Sequence, residues 1–563
     1  MTRHPLNSRA GVRETVREAA RLNWVDRAIG VFSPRTVRDR VLLRTQLAIA
    51  GVWHGGSRSR NATKEFNPPT GSADADLIWD LDVMRDRSRA LVRNSPLAGG
   101  AINTVVTNVV GMGIKARPKV NAKRLGMTPE EADAWEDAAL EEWELFSESK
   151  ECDITRTQDL AGLTSLVFRS VLECGDCFSL LPSVNRPGSP YRTKIQLIEA
   201  DRVCNPWGQV QTDLFAGGVE MDSVGSPLAY HVLQHHPGSI FPQPRVWDRI
   251  PAFTPSGRRR ILHHFDRQRV AQTRGFPYLA PVIEPLKQLG EYSDAEVMAA
   301  VVSSMFSVFV TTPDGEGLQQ QAGVPSSSQL DPNSAVTLGA GSIIDLMPGE
   351  KIEVADPKRP NTAFDPFVQA ILRQIGVRLE LPFEVLIKHF TSSYTAARAA
   401  LLEAWRFFKV RRVWVVGSFL APIYEIWMDE AVATGRLDAP GYFADPLIRK
   451  AYLGCRWIGD APGQIDPVKE ISAAGMRMEE GISTLEEETI TMTGGDWEEN
   501  TDQQALELKR RKTAGLITEQ TVGITGTPNR TIPPGQEGDG TDGDGTDDDT
   551  EDIGKGERRN AIG

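Results

Sequence analysis

The sequence predicts an α+β, predominantly helical protein. Three observations carry this. Apolar residues recur at steps of three or four over long stretches near 282–310 and after 395. Short runs rich in β-branched and aromatic residues fall between about 175 and 280. The composition, 40% hydrophobic and 25% charged, is that of an ordinary soluble globular protein, and 563 residues suffice for two to four domains. Five scattered cysteines argue against a disulfide scaffold. No secretory signal is expected, because many arginines precede the first apolar run, Leu47–Trp53, which is short and late; no transmembrane helix is expected, because the most apolar stretches, Val297–Val310 and Val413–Tyr424, are short and interrupted by Ser, Gly or Pro.

Charge is unevenly spread. Residues 1–60 hold twelve arginines against four acids, about +8, in a chain whose net charge is −12. This arm predicts one helix, "RETVREAARLNW", with Arg13, Arg17 and Arg21 on one face. Residues 528–563 form an acidic tail; its "GQEGDGTDGDGTDDDTED" stretch has nine acids and no base, a composition that cannot bury a core. The overall acidity excludes a simple basic clamp on nucleic acid.

Between these ends the elements follow in order. "DLDVMRDRSRALVRNSPLAGGAINTVVTNVVG" predicts two helices broken at Asn94-Ser95-Pro96, the second ended by Gly111 and Gly113. "TPEEADAWEDAALEEWELFSE" predicts an acidic helix with a capping box from Thr128 to Glu131. "TQDLAGLTSLVFRSVLE" is a further helix, followed by strands in "CFSLLPSV", "KIQLIEA" and "AYHVLQHH". One helix is expected over 282–310, its apolar ridge running from Leu286 and Leu289 to Phe306 and Phe309. Residues 313–341 are rich in Gly, Ser, Gln and Pro, and "SIIDLMPGEKIEVA" predicts a hairpin about Pro348-Gly349. A helix follows from about Asp365 to Leu379, ending before Pro382. A polar loop covers 383–394, a long helix runs from about Thr395 to Glu430, and 441–527 are mainly helical.

No standard catalytic signature is present. The sequence lacks the phosphate-binding G-x-x-x-x-G-K-[ST], the G-x-S-x-G elbow and H-E-x-x-H. "CGDC", Cys174 and Cys177, lacks the second ligand pair of a structural zinc and predicts buried thiols at a helix-to-strand turn, with Gly175 as the cap. His235-His236 and His263-His264 are adjacent pairs that point to opposite faces of a strand, and they predict strand-end or surface residues rather than a metal site. No acidic cluster fits a two-metal nuclease. The stretch Lys388, His389, Thr391, Ser392, Ser393 and Tyr394 places a histidine near hydroxyls but offers no third orienting group, and its Ser/Thr run equally suits a helix N-cap. In the helix that follows, Arg398, Arg406, Lys409 and Arg412 fall within one third of the circumference, a basic stripe on a helix that is apolar nearly all round. Neither cofactor nor metal is expected.

The order of these elements resembles the portal proteins of tailed bacteriophages, lambda-type family. The resembling segments are "RSRALVRNSPLAGGAINTVVTNVVGMGI", "IQLIEADRV", "GFPYLAPVIEPLKQLGEYSDAEVMAAVVSS", "LMPGEKIEVADPKRP", "LPFEVLIKHFTSSYTAARAALLEAWRFFKVRR" and "DPVKEISAAGMRMEEGISTLEEE", spanning about 85–490. The resemblance implies a wing at 61–281, stem helices at 282–312 and 363–381, and a clip at 313–362. It further implies a tunnel loop at 382–394, a long wing helix at 395–440 and a helical crown at 441–527. It implies a ring of twelve subunits at one capsid vertex that conducts double-stranded DNA during packaging and ejection. Expected partners are the terminase large subunit, head–tail connector or adaptor proteins, the major capsid protein and scaffold, with no membrane. Lys388, His389, Thr391, Ser392, Ser393 and Tyr394 would then face the DNA channel. The alternatives are a capsid-associated nuclease or protease, or another oligomeric head component such as a connector.

Overall fold

The computed structural model describes residues 20–49, 61–63, 65–207, 209–241, 243–304, 308–311, 351–354, 364–390, 393–463 and 466–516. The chain divides into two compact units, Met1–Ile465 and Asp466–Gly563.

The first described elements are a helical hairpin, α1 (Trp24–Phe32) and α2 (Pro34–Ile49). Asn23 and Asp26 close a capping box at the start of α1. The arm helix expected to run through Trp24 therefore does not: Arg21 and Leu22 lie before the Asn23 cap, and most of that segment lies outside the described residues. Asp26 is buried and paired with Arg40 and Arg44 of α2.

Two helices follow, α3 (Leu81–Asn94) and α4 (Pro96–Val109), split where Ser95 caps the second and Pro96 occupies its first turn. β1 (Lys115–Pro118), the short α5 (Ala122–Leu125) and the acidic α6 (Pro129–Ser147) come next, and α6 starts on the Thr128–Glu131 capping box. α7 (Leu160–Cys174) ends at Gly175, whose φ of +91° and close approach to Phe276 leave no room for a side chain: a Cβ would lie 2.5 Å from that backbone. β2 (Asp176–Leu180) is then the centre of a three-stranded antiparallel sheet, between β3 (Gln196–Glu199) and β8 (Ile261–Phe265). A meander of β4 (Phe215–Ala216), β5 (Val219–Met221), β6 (Pro227–Leu233) and β7 (Trp247–Pro251) forms a second sheet. Their shared core includes Phe178, Ile198, Tyr230 and Val232.

α8 spans Ile283–Ser304, shorter than the helix expected to 310. The β-branched run Val308–Thr311 forms β9 instead. Its antiparallel partner is β10 (Lys351–Val354), with Thr311 opposite Lys351. "KIEV" therefore pairs with a strand before the Gly/Ser-rich segment; the other arm of the expected hairpin, and Phe306 of the expected ridge, lie outside the described residues.

α9 (Phe364–Arg378) and the short α10 (Phe383–Ile387) lead to α11 (Tyr394–Val415). The sequence read 383–394 wholly as a polar loop, but Val385 and Leu386 are apolar enough to fold and bury a helical turn. α11 passes through a π-helical turn, Val416–Leu420, into α12 (Ala421–Ala433). Pro422 has no N–H to give the carbonyl of Ser418, which accounts for a break in α-helical pairing at this point. α13 (Pro446–Tyr452) and β11 (Cys455–Ile458) complete the first unit, β11 pairing with β1.

Two further cores hold these helices. One is aromatic: Trp143 of α6 meets Trp427 and Tyr424 of α12 edge-on at 5.0 and 5.1 Å. The other gathers α4, the base of α8 (Leu286, Leu289), α9 (Leu372, Ile375) and α11 (Ala404, Phe407, Phe408). The second unit contains α14 (Pro467–Glu479), α15 (Leu485–Thr493) and α16 (Trp497–Thr513). Arg477 and Glu488 join α14 to α15 at 2.6–2.7 Å.

Candidate DNA-facing loop and its supports

α9 ends in a tight turn against the chain that follows. Leu381 N–H donates to Gly376 O at 3.0 Å, and a Cβ on Gly376 would lie 2.7 Å from Leu381 O. The Tyr278 hydroxyl donates to Leu379 O, fixing this corner to the rest of the unit. Pro382 opens α10, and Lys388 closes it in the left-handed region at φ 55°, ψ 38°. The N–H groups of Lys388 and His389 both turn back to Glu384 O.

Lys388, His389 and Phe390 are exposed beyond this cap, as is Ser393 at the start of α11. Thr391, Ser392 and the Tyr394 side chain lie outside the described residues. The loop thus presents a cation, an imidazole and a phenyl ring to solvent, on a base whose backbone is pinned by buried Val385 and Leu386. Among the described residues, no hydrogen bond joins His389 to Ser393.

The basic stripe is divided by the fold. Arg406 and Lys409 are exposed, and Arg398 is half-buried. Arg412 turns inward. Its guanidinium donates to Val109 O at 3.0 Å, Asn108 O at 3.1 Å and Asp460 O at 3.0 Å, and covers the Trp405 ring. Burial lowers its affinity for the proton from the usual arginine value. Arg412 therefore ties α11 to the end of α4, and is a positioning residue rather than part of an open stripe. Arg411, which the sequence reading passed over, pairs with Asp266 at 2.7 Å and stacks on Phe407.

The other candidate residues are structural. Cys174 and Cys177 are buried thiols, pushed up to about 11 and about 12 chiefly by burial. His263 and His264 are not surface residues: they sit on β8 beside the central strand. His263 stacks on Phe178 at 4.2 Å, and His264 meets the Ser179 hydroxyl at 2.8 Å. Burial pushes them down to about 4 and about 3, so both are neutral imidazoles near neutral pH. Among the described residues, Glu199, Asp201 and His236 bring possible metal ligands within 4.8 Å. Arg89 already bonds both carboxylates, so a guanidinium offsets part of the charge there.

Sequence reasoning missed the ionic centre of the unit. Asp176, fully buried, accepts from Arg85 at 2.8 Å and from Arg274 Nε at 2.5 Å. Arg274 also donates to the carbonyls of Val203, Gly217 and Ala200. The two guanidiniums hold the Asp176 carboxyl well below the usual carboxylate range against the opposing effect of burial. Partners 91 and 98 residues away leave no local pattern in a sequence.

α9, α10 and α11 thus carry an exposed loop on a buried, hydrogen-bonded base. Residues 59–412 match the family model described as "Phage portal protein, lambda family", and the chain belongs to that family. It is 28% identical over 491 residues to Portal protein B of Escherichia phage lambda, covering 83% of this chain and 91% of that protein. It is 26% identical over 489 residues to the portal protein of Escherichia phage N15, again covering 83% and 91%. Among solved structures, a chain from the virion of a native gene transfer agent particle is similar at a TM-score of 0.36 and 12% identity, covering 73% of this chain and 92% of that one. A chain from the neck of such a particle, computed with C12 symmetry, has a TM-score of 0.37 and 12% identity, covering 72% and 92%.

Proposed function

We propose that this chain is the subunit of the portal ring at one capsid vertex, through which double-stranded DNA enters and leaves the head. The observation that carries the reading is the family match over residues 59–412, which includes α8 to α11 and the loop at 388–393. Three physical features support it. Val297, Met298 and Val301 leave the distal half of α8 with an exposed apolar face, as a subunit awaiting neighbours would have. The net charge of −12 per chain favours a channel that repels a polyanion and lets it slide, while Lys388 offers brief phosphate contacts. No nucleotide-binding signature is present, consistent with a conduit whose motor is a separate protein.

In this reading the role is structural, not enzymatic. The loop at 388–394 faces the channel. The segment framed by β9 and β10 docks the terminase large subunit and later the connector proteins, and the ring contacts the major capsid protein and scaffold as the head assembles. The test is purification of the chain followed by mass measurement and negative-stain microscopy. Rings of about twelve subunits with a hole of about 20–40 Å are expected. Compact monomers at all concentrations would overturn the reading.

A further inference from the structure

α16 carries its charge in two blocks. Glu498, Glu499, Asp502 and Glu507 come first, and Lys509, Arg510, Arg511 and Lys512 close the helix. Successive helical residues are about 100° apart, so the four bases point all round the axis and no single packing face can take them. All four are exposed, as is every residue of the helix from Glu499 onward. An acid three or four residues earlier is the usual partner of a helical base, and Glu507 is the single acid at that spacing. Glu507 already accepts from the Gln503 amide at 2.9 Å. Among the described residues, none of the four bases forms an ion pair or a side-chain hydrogen bond. The helix dipole favours cations in a last turn by about 0.3–1 kcal/mol each, but it leaves their outward N–H donors open.

The described residues end just beyond these bases, at Leu516. Twenty residues separate Leu516 from Glu537, where the stretch Glu537–Asp552 begins, with nine acids and no base. A chain of that length spans at most about 70 Å, and the bases lie within about 10 Å of Leu516 along the helix. The tether makes a meeting of the two intramolecular, at an effective concentration on the order of millimolar. Both segments belong to the second compact unit. The acidic stretch holds no apolar side chain, so charge is what it offers a partner. Its nine acids outnumber the three bases that follow it, Lys555, Arg558 and Arg559.

We propose that the acidic stretch Glu537–Asp552 docks on the basic end of α16 of its own chain and screens it from nucleic acid. Carboxylates strung along a Gly/Thr backbone can reach a helix end from several sides, which is where bases at 100° steps point. The contact joins exposed charges, so salt weakens it, and a longer, denser polyanion such as duplex DNA competes with it. Docking of this kind goes beyond the portal role and is a property of one chain, whether or not rings form.

The experiment uses the full chain. A zero-length carbodiimide joins lysine amines to carboxylates in contact with them, and peptide mass spectrometry reads the links. Links from Lys509 and Lys512 to acids within 537–552 are expected, and they are expected to fade between about 50 and about 200 mM salt. Mixing heavy-isotope and ordinary chains is expected to give links within one chain only. Two variants are compared with the parent in binding a short DNA duplex. The first has the nine acids changed to their amides; the second adds Lys509→Gln, Arg510→Gln, Arg511→Gln and Lys512→Gln. The changed bases are exposed, so the second variant is expected to melt as the first does. Amidation is expected to tighten DNA binding about tenfold at low salt, and the added substitutions are expected to abolish that gain. The absence of links from Lys509 and Lys512 to the tail overturns the proposal, and so do links that join two chains. A gain that survives loss of the four bases means that the tail covers another basic surface, and overturns it. Parent chain that binds DNA as tightly as the amidated chain makes DNA the occupant of the site, and overturns it too.

Discussion

Asp176 lies between two guanidiniums in a site with no water-exposed surface. Removing the carboxylate takes the buried anion from both guanidiniums, leaving Arg85 with the exposed Asp82 at 3.7 Å and Arg274 with backbone carbonyls. Asp176→Ala is expected to cost about 3–5 kcal/mol, read as a lowered urea midpoint or loss of soluble protein. A variant as stable as the parent would show that the network is incidental. Lys388 and His389 are the opposite case: exposed, past a helix cap, with little for the fold to lose. Lys388→Ala with His389→Ala is expected to leave stability within about 0.5 kcal/mol while reducing packaged or retained DNA. Unchanged DNA yield would remove the loop from the channel. Sequence alone singled out Lys388 and His389 because their neighbourhood is locally polar. It had no access to Asp176, because the partners of a buried charge are set by tertiary contact. Arg412 shows the same limit: helical spacing placed it on a stripe, whereas packing turned it toward Val109 and Asp460.

Elements with local chemical signatures were readable in advance. The Thr128–Glu131 box and the Ser95-Pro96 start are spelled out by adjacent residues, and both occur where the pattern puts them. Where two patterns compete, the sequence reading erred. Val308–Thr311 continues the apolar ridge of α8, yet its β-branched residues and the available partner at Lys351–Val354 favour a strand. α11 and α12, read as one helix, do run on without a break, through a π-helical turn that the sequence reading did not foresee. The β9–β10 pair has a functional consequence. Thr311 is opposite Lys351, so residues 312–350 leave and return at one point, and a shortening between them need not disturb the helices. Deleting residues 320–335 is expected to preserve ring assembly and abolish terminase binding in a pull-down or surface-binding measurement. Normal binding would move the docking site elsewhere.

At the scale of the whole molecule, the single chain is incomplete in a specific way. Leu286 and Leu289 at the base of α8 are buried, but the same helix then exposes Val297 at 62%, Met298 at 61% and Val301 at 42%. Sequence periodicity drew one apolar ridge through Leu286, Leu289, Tyr292, Ala295, Ala299 and Val302 and passed over these three; it cannot tell a core within the chain from a core completed by a neighbour, because both demand the same residue types. If neighbours complete it, charges on this face must block assembly without harming the subunit. Val297→Glu with Met298→Glu removes apolar surface that the isolated chain already leaves in water, so the melting temperature of the subunit is expected to stay within about 2 °C. In the ring those carboxylates would be desolvated without a partner, at a cost of several kcal/mol per subunit. Because the ring repeats one interface at every junction, the cost recurs around it, and the variant is expected to remain monomeric at concentrations where the parent assembles. Sedimentation velocity separates the outcomes. Monomer with a parental melt assigns the distal face of α8 to the subunit interface, whereas rings at the parental concentration would mean that this face stays in solvent in the assembled portal.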